Sequence, residues 1–494
     1  MIFINCATKK SLGLFKRFFP ISIPFSIAYL MAMLKQNNLQ FHYIDQQVNE
    51  NVYPLIDKFS NFYEKRIFCL SFLTESFNSA IRISKYIRLN YPNSIIIWGG
   101  IHVTAMPEDC LNYDLANYIF LGEGESAINE IYYRLHSNQN LYDIKGIGFK
   151  HKNKIILNDR APIIENLDEI PVIPYEIFNP KIYNFGYLTT SRGCPYSCSF
   201  CNNNLTGNKK VRFKSISRVI SELEILIEKY KQYDITFYDD NFLINKTRVF
   251  EMCEIIQQHN WHKKCNFMFQ SRAKDIDKDT VQLLSKTGFK TAFIGIESAS
   301  QEILESIGKN ENLEQISKAI RILKNENVQV MANFIFGFPF ENKEDRSKCL
   351  EYSITNDIDV VKFNNVVPYP GTKLYSQFIN ILNFNSINFD NFNSQLAIIK
   401  PFYKKIKFPL LPQNTTNNEL EIEILYYYFK FYFRFTRIKK ILFEKKWGNI
   451  LFQYGDNIKT ILKNIPFFIL LVFNLFIKLI IAIFKYIFMF LFKR

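Results

Sequence analysis

At 494 residues, with 48% hydrophobic and 22% charged side chains, the chain is about three times the length of a typical domain, which excludes a single small module, a disordered polymer and a disulfide-dense scaffold. The net charge is +15, and positions 421–494 hold thirteen Lys and Arg against four Asp and Glu, so the basicity is largely C-terminal. Nine cysteines, six of them widely separated (Cys6, Cys69, Cys110, Cys253, Cys265, Cys349), form no secreted disulfide framework. Met1-Ile2-Phe3-Ile4-Asn5 lacks a signal-peptide pattern, so a reducing, cytoplasmic setting is expected.

Short apolar runs at 2–5, 41–44, 66–72, 94–98 and 118–121 read as strands, and segments such as 25–35 and 76–89 repeat apolar residues three and four apart, as helices do. That alternation predicts a parallel sheet with helices on both faces. Ligands of such sheets lie beyond the carboxyl ends of the strands, which here carry Ser71, Gly99-Gly100 and Gly122-Glu123-Gly124-Glu125. Two strands flanking Lys152-Asn153 predict a hairpin, and Leu167-Asp168-Glu169-Ile170-Pro171-Val172-Ile173-Pro174 reads as a linker. After a boundary near Asn184 the alternation resumes, with strands near 187–190, 235–238, 266–269, 291–295, 329–334 and 360–364. Six such units predict an incomplete β/α barrel with its chemistry at the C-terminal mouth of the strands.

The tail differs. Positions 424–435 are aromatic and aliphatic, broken by Lys430 and Arg434, and Lys439-Lys440 and Lys445-Lys446 follow, predicting a basic amphipathic helix. Positions 465–492 are nearly continuous apolar sequence, long enough to cross a bilayer. Asn474, Lys478 and Lys485 fall on one narrow helical stripe, which favours a helix lying in the membrane interface, with a spanning helix left open by lysine snorkelling. The neighbouring basic residues suit anionic cytoplasmic lipids. A helical cap packed over the barrel is the alternative, and the apolar stretch argues against nucleic acid.

Ser191-Arg192-Gly193-Cys194-Pro195-Tyr196-Ser197-Cys198-Ser199-Phe200-Cys201 places three cysteines in the loop after the first barrel strand. Zinc normally takes four ligands, and no second pair or nearby His supplies the fourth. Three thiolates suit a four-iron cluster with one iron open to an exchangeable ligand. At these residues the chain resembles the radical S-adenosylmethionine (SAM) enzymes, whose signature is Cys-x-x-x-Cys-x-x-Cys in the loop that opens a partial barrel.

The resemblance implies that Cys194, Cys198 and Cys201 hold a 4Fe-4S cluster, that SAM chelates the open iron, and that reductive cleavage yields a 5′-deoxyadenosyl radical. By position, Phe200 would pack near the adenine and Asp239, in Phe237-Tyr238-Asp239-Asp240-Asn241-Phe242, would lie near the SAM amino group, an ordinary helix cap being its alternative. Arg272 would hold the SAM carboxylate or else be a surface arginine, and Glu297 in Gly295-Ile296-Glu297-Ser298 would take ribose hydroxyls or the amino group. Asn333 and Gly337, in Asn333-Phe334-Ile335-Phe336-Gly337-Phe338-Pro339, bring backbone close to the cofactor or form a simple turn. Pro368-Tyr369-Pro370-Gly371-Thr372 matches the sixth-strand exit of the same family.

The first domain resembles the cobalamin-binding domain of a large radical SAM subgroup of methylases and ring-forming enzymes. Pro24 to Leu30, Ser71-Phe72-Leu73-Thr74, Gly99-Gly100-Ile101-His102-Val103-Thr104 and Gly122-Glu123-Gly124-Glu125 carry the likeness. It implies Ser71, Thr74, Gly99, Gly100, His102, Thr104, Gly122, Glu123 and Gly124 as cobalamin contacts. No Asp-x-His-x-x-Gly segment supplies a cobalt ligand, so the lower axial position is open, and His102 lines the site or is a satisfied loop histidine.

The expected α/β architecture is therefore a doubly wound, cobalamin-binding sheet (1–140), a hairpin and linker (141–183), a partial (β/α)6 barrel (184–380), a basic helical region (381–460) and an apolar membrane-associating helix (461–494). The expected activity is C-methylation of a small or lipid-like molecule, with cluster, SAM and cobalamin as cofactors and a flavodoxin or ferredoxin as electron donor. Cyclisation or rearrangement without methyl transfer, RNA methylthiolation and a non-catalytic sensor are the alternatives. The scattered Cys6, Cys69 and Cys110 and the helical tail lack the second cluster and RNA module of methylthiolating relatives.

Overall fold

The computed structural model describes residues 1–7, 21–203, 205, 209–379, 388–400 and 405–435, with isolated positions between 469 and 484. Ile2–Asn5 (β1), His42–Asp45 (β2), Ile67–Ser71 (β3), Ile95–Gly99 (β4), Tyr118–Phe120 (β5), Ile147–His151 (β6) and Lys154–Leu157 (β7) form one sheet in the order β2-β1-β3-β4-β5-β6-β7. The first five strands are parallel and the last two antiparallel. The expected hairpin thus continues the first sheet. Lys152 and Asn153 both adopt left-handed backbone (φ 48° and 63°), as a two-residue turn matched to strand twist requires.

Helices cover both faces of this sheet because its central strands are apolar on both sides. One face packs Phe68, Leu70 and Trp98 against Phe77 and Ile83 of the helix Phe77–Asn90. The other face, with Phe3, Ile67 and Ile97, belongs to a core that runs without a break into the second unit. The two units therefore share one hydrophobic core, which fixes their relative placement.

The second unit contains Tyr187–Leu188 (β8), Asp234–Phe237 (β9), Asn266–Ser271 (β10), Phe289–Glu297 (β11), Gln329–Phe336 (β12) and Val360–Asn365 (β13). All six are parallel and lie in sequence order, the incomplete barrel expected.

An open barrel leaves β13 with an unpaired edge, and the C-terminal helix Asn417–Tyr432 closes it. Tyr428 accepts the N–H of Phe363 at 2.9 Å, and Tyr432 accepts the N–H of Val361 at 3.1 Å and donates to its carbonyl at 2.8 Å. Asn365 N–H goes to the Ser394 carbonyl at 2.7 Å. The amphipathic helix expected over 424–435 is present, and it takes the alternative place, as a cap on the barrel: its apolar face, with Ile424, Tyr427 and Phe431, is buried there. Of the stripe Asn474, Lys478 and Lys485, only Lys478 is among the described residues, and it is buried, donating to the Ala397 carbonyl with Glu421 at 3.8 Å. The rest of the apolar segment lies largely outside the described residues, and no described helix is long and apolar enough to cross a membrane.

Candidate active site

Cys194, Cys198 and Cys201 are half-buried and free of disulfides. Their loop starts from a short antiparallel ribbon, Ser191–Arg192 with Arg212–Phe213. Gly193 turns the chain away at φ 97°, where a Cβ would stand 2.2 Å from the Lys210 carbonyl oxygen, so only glycine fits. Ser199 N–H bonds to Ile307 O at 2.8 Å and Leu374 N–H to Ser199 O at 2.9 Å, pinning the loop to the fourth and sixth barrel units. The turn at Gly371 packs against Leu205, so the sixth-strand exit braces the cysteine loop.

Asp239 is committed within the protein. Its carboxylate accepts from Thr190 N–H and Oγ1, both at 2.6 Å, and from Ser191 N–H at 2.8 Å. Burial raises its pKa, against these bonds and the Arg248 charge. It therefore anchors the strand end that launches the loop, at the place where a contact to the SAM amino group was expected. Asp240 takes the Gly193 N–H at 3.2 Å and faces a cavity described below.

Four buried charged side chains gather behind the cysteines: Arg272, Glu297, Lys309 and Glu311. The Arg272 guanidinium lies 3.9 Å from Cys198 Sγ and 4.0 Å over the Tyr196 ring, so it is no surface arginine. It sits 3.2 Å from Glu311 in a geometry that leaves its Nε and Nη2, and Glu311 Oε2, without hydrogen-bond partners. Lys309 reaches Glu297 and Glu311, each at 3.5 Å. Glu297 is held at φ 70°, a strained conformation for a non-glycine residue, and a Cβ on Gly295 would strike its Oε1 at 2.2 Å. Burial raises the Glu297 carboxyl above its ordinary pKa, with Lys309 opposing. Asn333, beside Gly295 in strand register, has a buried amide oxygen with no partner. Unpaired buried donors and acceptors are expensive without a ligand, and this set matches the amino and carboxylate groups of an amino-acid ligand.

Phe200 packs edge-on to Phe338 at 6.4 Å. Gly337 (φ 106°) donates its N–H to Glu341, and the place of a side chain there is closed by Val366 and Leu420. Its contacts lie with the C-terminal helix, against the expectation of cofactor approach.

Between the carboxyl ends of the first sheet and the cysteine loop lies a cavity of about 430 Å3. Ser71, Gly99, Gly100, Thr104, Gly122, Glu123 and Gly124 line one side, and Arg192, Gly193, Tyr238 and Asp240 the other. A Cβ added to Gly99 or Gly122 would meet nothing within 4 Å, so both glycines open onto free space that a side chain would fill. That glycine-walled cradle fits a large, flat cofactor such as a corrin.

Three expected contacts need correction. His102 is 1% exposed and outside the cavity, packed on Phe77 at 4.5 Å with Nδ1 3.2 Å from Thr74 Oγ1, which puts Thr74 outside as well. Burial lowers the His102 pKa to about 4. Glu123 reaches the cavity wall, but its carboxylate binds both terminal nitrogens of Arg212 at 2.7 Å and the Ile164 N–H at 3.0 Å. Glu125 pairs with Arg192 at 2.7 Å. These acids tie the first sheet to the ribbon that carries the cysteine loop. Arg192, Arg212, Lys309 and Glu311 escaped the sequence reading because their role appears only where distant segments meet; the Glu-x-Glu and Arg192 in the quoted motifs were the available signal.

The donor sets fit the cofactors. Three thiols in Cys-x3-Cys-x2-Cys spacing suit an iron–sulfur cluster. Burial raises the Cys194 thiol and pushes Cys201 up to about 11, so deprotonation would accompany metal binding. Among the described residues no three His, Cys, Asp or Glu side chains converge on a single-ion position.

Residues 188–352 match the Radical SAM superfamily and residues 16–132 the B12 binding domain. The chain is 31% identical to an uncharacterized methyltransferase of Pyrococcus horikoshii over 365 residues, 72% of this chain and 78% of that protein. It is 24% identical to the anaerobic magnesium-protoporphyrin IX monomethyl ester cyclase of Cereibacter sphaeroides over 446 residues, 87% of this chain and 69% of the cyclase. In fold it is similar to the radical SAM methyltransferase TsrM of Kitasatospora setae, solved with cobalamin and a 4Fe-4S cluster bound (TM-score 0.65, 16% identity, 77% of this chain and 74% of TsrM). The chain belongs to the cobalamin-binding branch of the radical SAM superfamily, and its cofactors are a 4Fe-4S cluster, SAM and cobalamin.

Proposed function

We propose that this enzyme is a C-methyltransferase that acts on an unreactive carbon of a small organic molecule. One observation carries the reading: the glycine-walled cavity of the first sheet and the cysteine loop of the barrel face the same space. When bound, the cluster supplies the electron that cleaves SAM, and cobalamin supplies a transferable methyl group.

In this proposal Cys194, Cys198 and Cys201 ligate the cluster, and an electron arrives from a flavodoxin- or ferredoxin-type donor. Arg272 and Glu297 hold the amino-acid end of SAM, Asn333 binds beside them, and Phe200 packs on the adenine. Ser71, Gly99, Gly100, Thr104, Gly122 and Gly124 cradle the corrin, with Tyr238 and Asp240 on the opposite wall. Asp239, Glu123 and Glu125 act at one remove, by fixing the loop and the docking of the two units. The apolar composition beyond Phe435 supports contact with a bilayer surface, which vesicle flotation of the full chain tests.

The test is anaerobic reconstitution with iron, sulfide and hydroxocobalamin, followed by reduction with SAM labelled in its methyl group. About four irons per chain, near-stoichiometric cobalt, 5′-deoxyadenosine formation and label transfer to an acceptor are expected. Cys198→Ala should abolish 5′-deoxyadenosine formation, and retained cleavage would overturn the ligand assignment. Cleavage with no label transfer would move the reading to cyclisation, the chemistry named for the Cereibacter relative.

A further inference from the structure

The inner face of the barrel holds a cation that no described group neutralises. Val361 and Phe363 of β13 point outward into the shared core, with Phe363 stacked on Phe336 at 5.5 Å. Alternation along the strand therefore sends Val360, Lys362 and Asn364 inward. Val360 meets Met331 there, with Phe293 and Tyr432 packed against the pair, forming an apolar floor. One layer above, strand register sets Gly295, Asn333 and Lys362 in a row across β11, β12 and β13. Glu297 and Lys309 stand over Gly295, so this row begins at the charged group assigned to SAM and ends, two strand spacings or about 10 Å away, at Lys362.

Lys362 is only partly exposed, and its Nζ is 5.6 Å from the centroid of Phe293. Among the described residues it has neither a hydrogen bond nor an ion pair, and burial alone lowers its pKa, with no carboxylate near enough to oppose that shift. Three other buried cations of the barrel are matched by carboxylates: Lys214 by Glu222, Lys309 by Glu297 and Glu311, Arg346 by Glu341 and Glu423. Beside Lys362, Asn333 and Asn364 each carry a buried amide oxygen with no partner, and Asn364 is 5% exposed. A partly enclosed, unpaired ammonium and two unsatisfied amide oxygens on one wall are costly unless a ligand completes them.

We infer that Lys362 anchors the acid group of the substrate, an organic acid that also carries a hydrogen-bond donor for the amide oxygen of Asn364, seated on the Met331 and Val360 floor with its far end toward Arg272 and Glu297. The inference rests on the proposed function, because it assigns the lumen to the substrate.

The test uses the reconstituted full-length enzyme and two arylating probes of lysine, anionic trinitrobenzenesulfonate and neutral 1-fluoro-2,4-dinitrobenzene, with peptide mass mapping of the products. Normalised to exposed lysines, Lys362 should react at least about tenfold faster with the anionic probe than with the neutral one, and its rate should saturate with probe concentration. Equal normalised rates for the two probes, no saturation, or a Lys362 that neither probe reaches would overturn the site. Labelling needs no turnover. An anion-selective lumen in an enzyme that fails to cleave SAM would count against the functional reading alone, and SAM cleavage without anion selectivity would count against the anchor alone.

Discussion

Glu123, at the end of a strand of the first sheet, grips both terminal nitrogens of Arg212, on the ribbon beside the cysteine loop, at 2.7 Å. Burial opposes ionisation of Glu123, but the Arg212 bonds, the Arg192 charge and the Ile164 N–H together hold its carboxyl below the ordinary range. Glu123→Gln leaves the 3%-exposed Arg212 side chain without its counter-charge. Losing one partner of a buried pair typically costs about 3 kcal/mol or more, so urea unfolding at neutral pH should show a loss of that size; a loss under about 1 kcal/mol would mean that water reaches the pair.

Two glycines give opposite expectations. Gly193→Ala forces a Cβ to 2.2 Å from a carbonyl oxygen in left-handed backbone, and iron retained after reconstitution should fall by more than half. Gly99→Ala meets nothing within 4 Å, so stability should change by less than about 0.5 kcal/mol while cobalamin affinity drops about tenfold, as read by cobalt analysis.

Burial depresses His102 from its ordinary 6.5 to about 4. The folded state thus disfavours its protonation: the stability this neutral ring contributes is whole above pH 6.5 and is lost as pH falls towards 4. The slope is about 1.4 kcal/mol per pH unit for one group. Between pH 6.5 and 5, His102→Gln should lose about 2 kcal/mol less than the parent, measured by denaturant titration at both values; parallel losses would show that the ring titrates normally.

Tyr428→Phe strips the Phe363 N–H of its acceptor. An unsatisfied buried donor costs about 1–3 kcal/mol, so the melting temperature should fall while iron content after reconstitution is unchanged.

Strand rhythm, glycine turns and the three-cysteine spacing are local in sequence, which is why both sheets and the position of the cysteine loop were legible: β1 and the start of β12 fall where the apolar runs place them. Partnership was not legible. Nothing near Asp239 announces that Thr190 and Ser191 consume its carboxylate, or that Arg212 claims Glu123 across 89 positions. By its neighbours in sequence His102 could line the cofactor site or be a satisfied loop histidine, and its neighbours in space, Phe77 and Phe389, make it the second. The helix Asn417–Tyr432 was legible as amphipathic, but its resting place was not, because apolar patterning cannot tell a bilayer from the side of a barrel.

The hydroxyls of Tyr428 and Tyr432 occupy the hydrogen-bonding positions a seventh strand would use on β13. A chain cut before Asn417 would therefore expose a raw strand on which further copies could stack into insoluble ribbons. Anyone grafting this catalytic barrel onto another cofactor domain must carry the helix with it, as a permanent bandage on the seam.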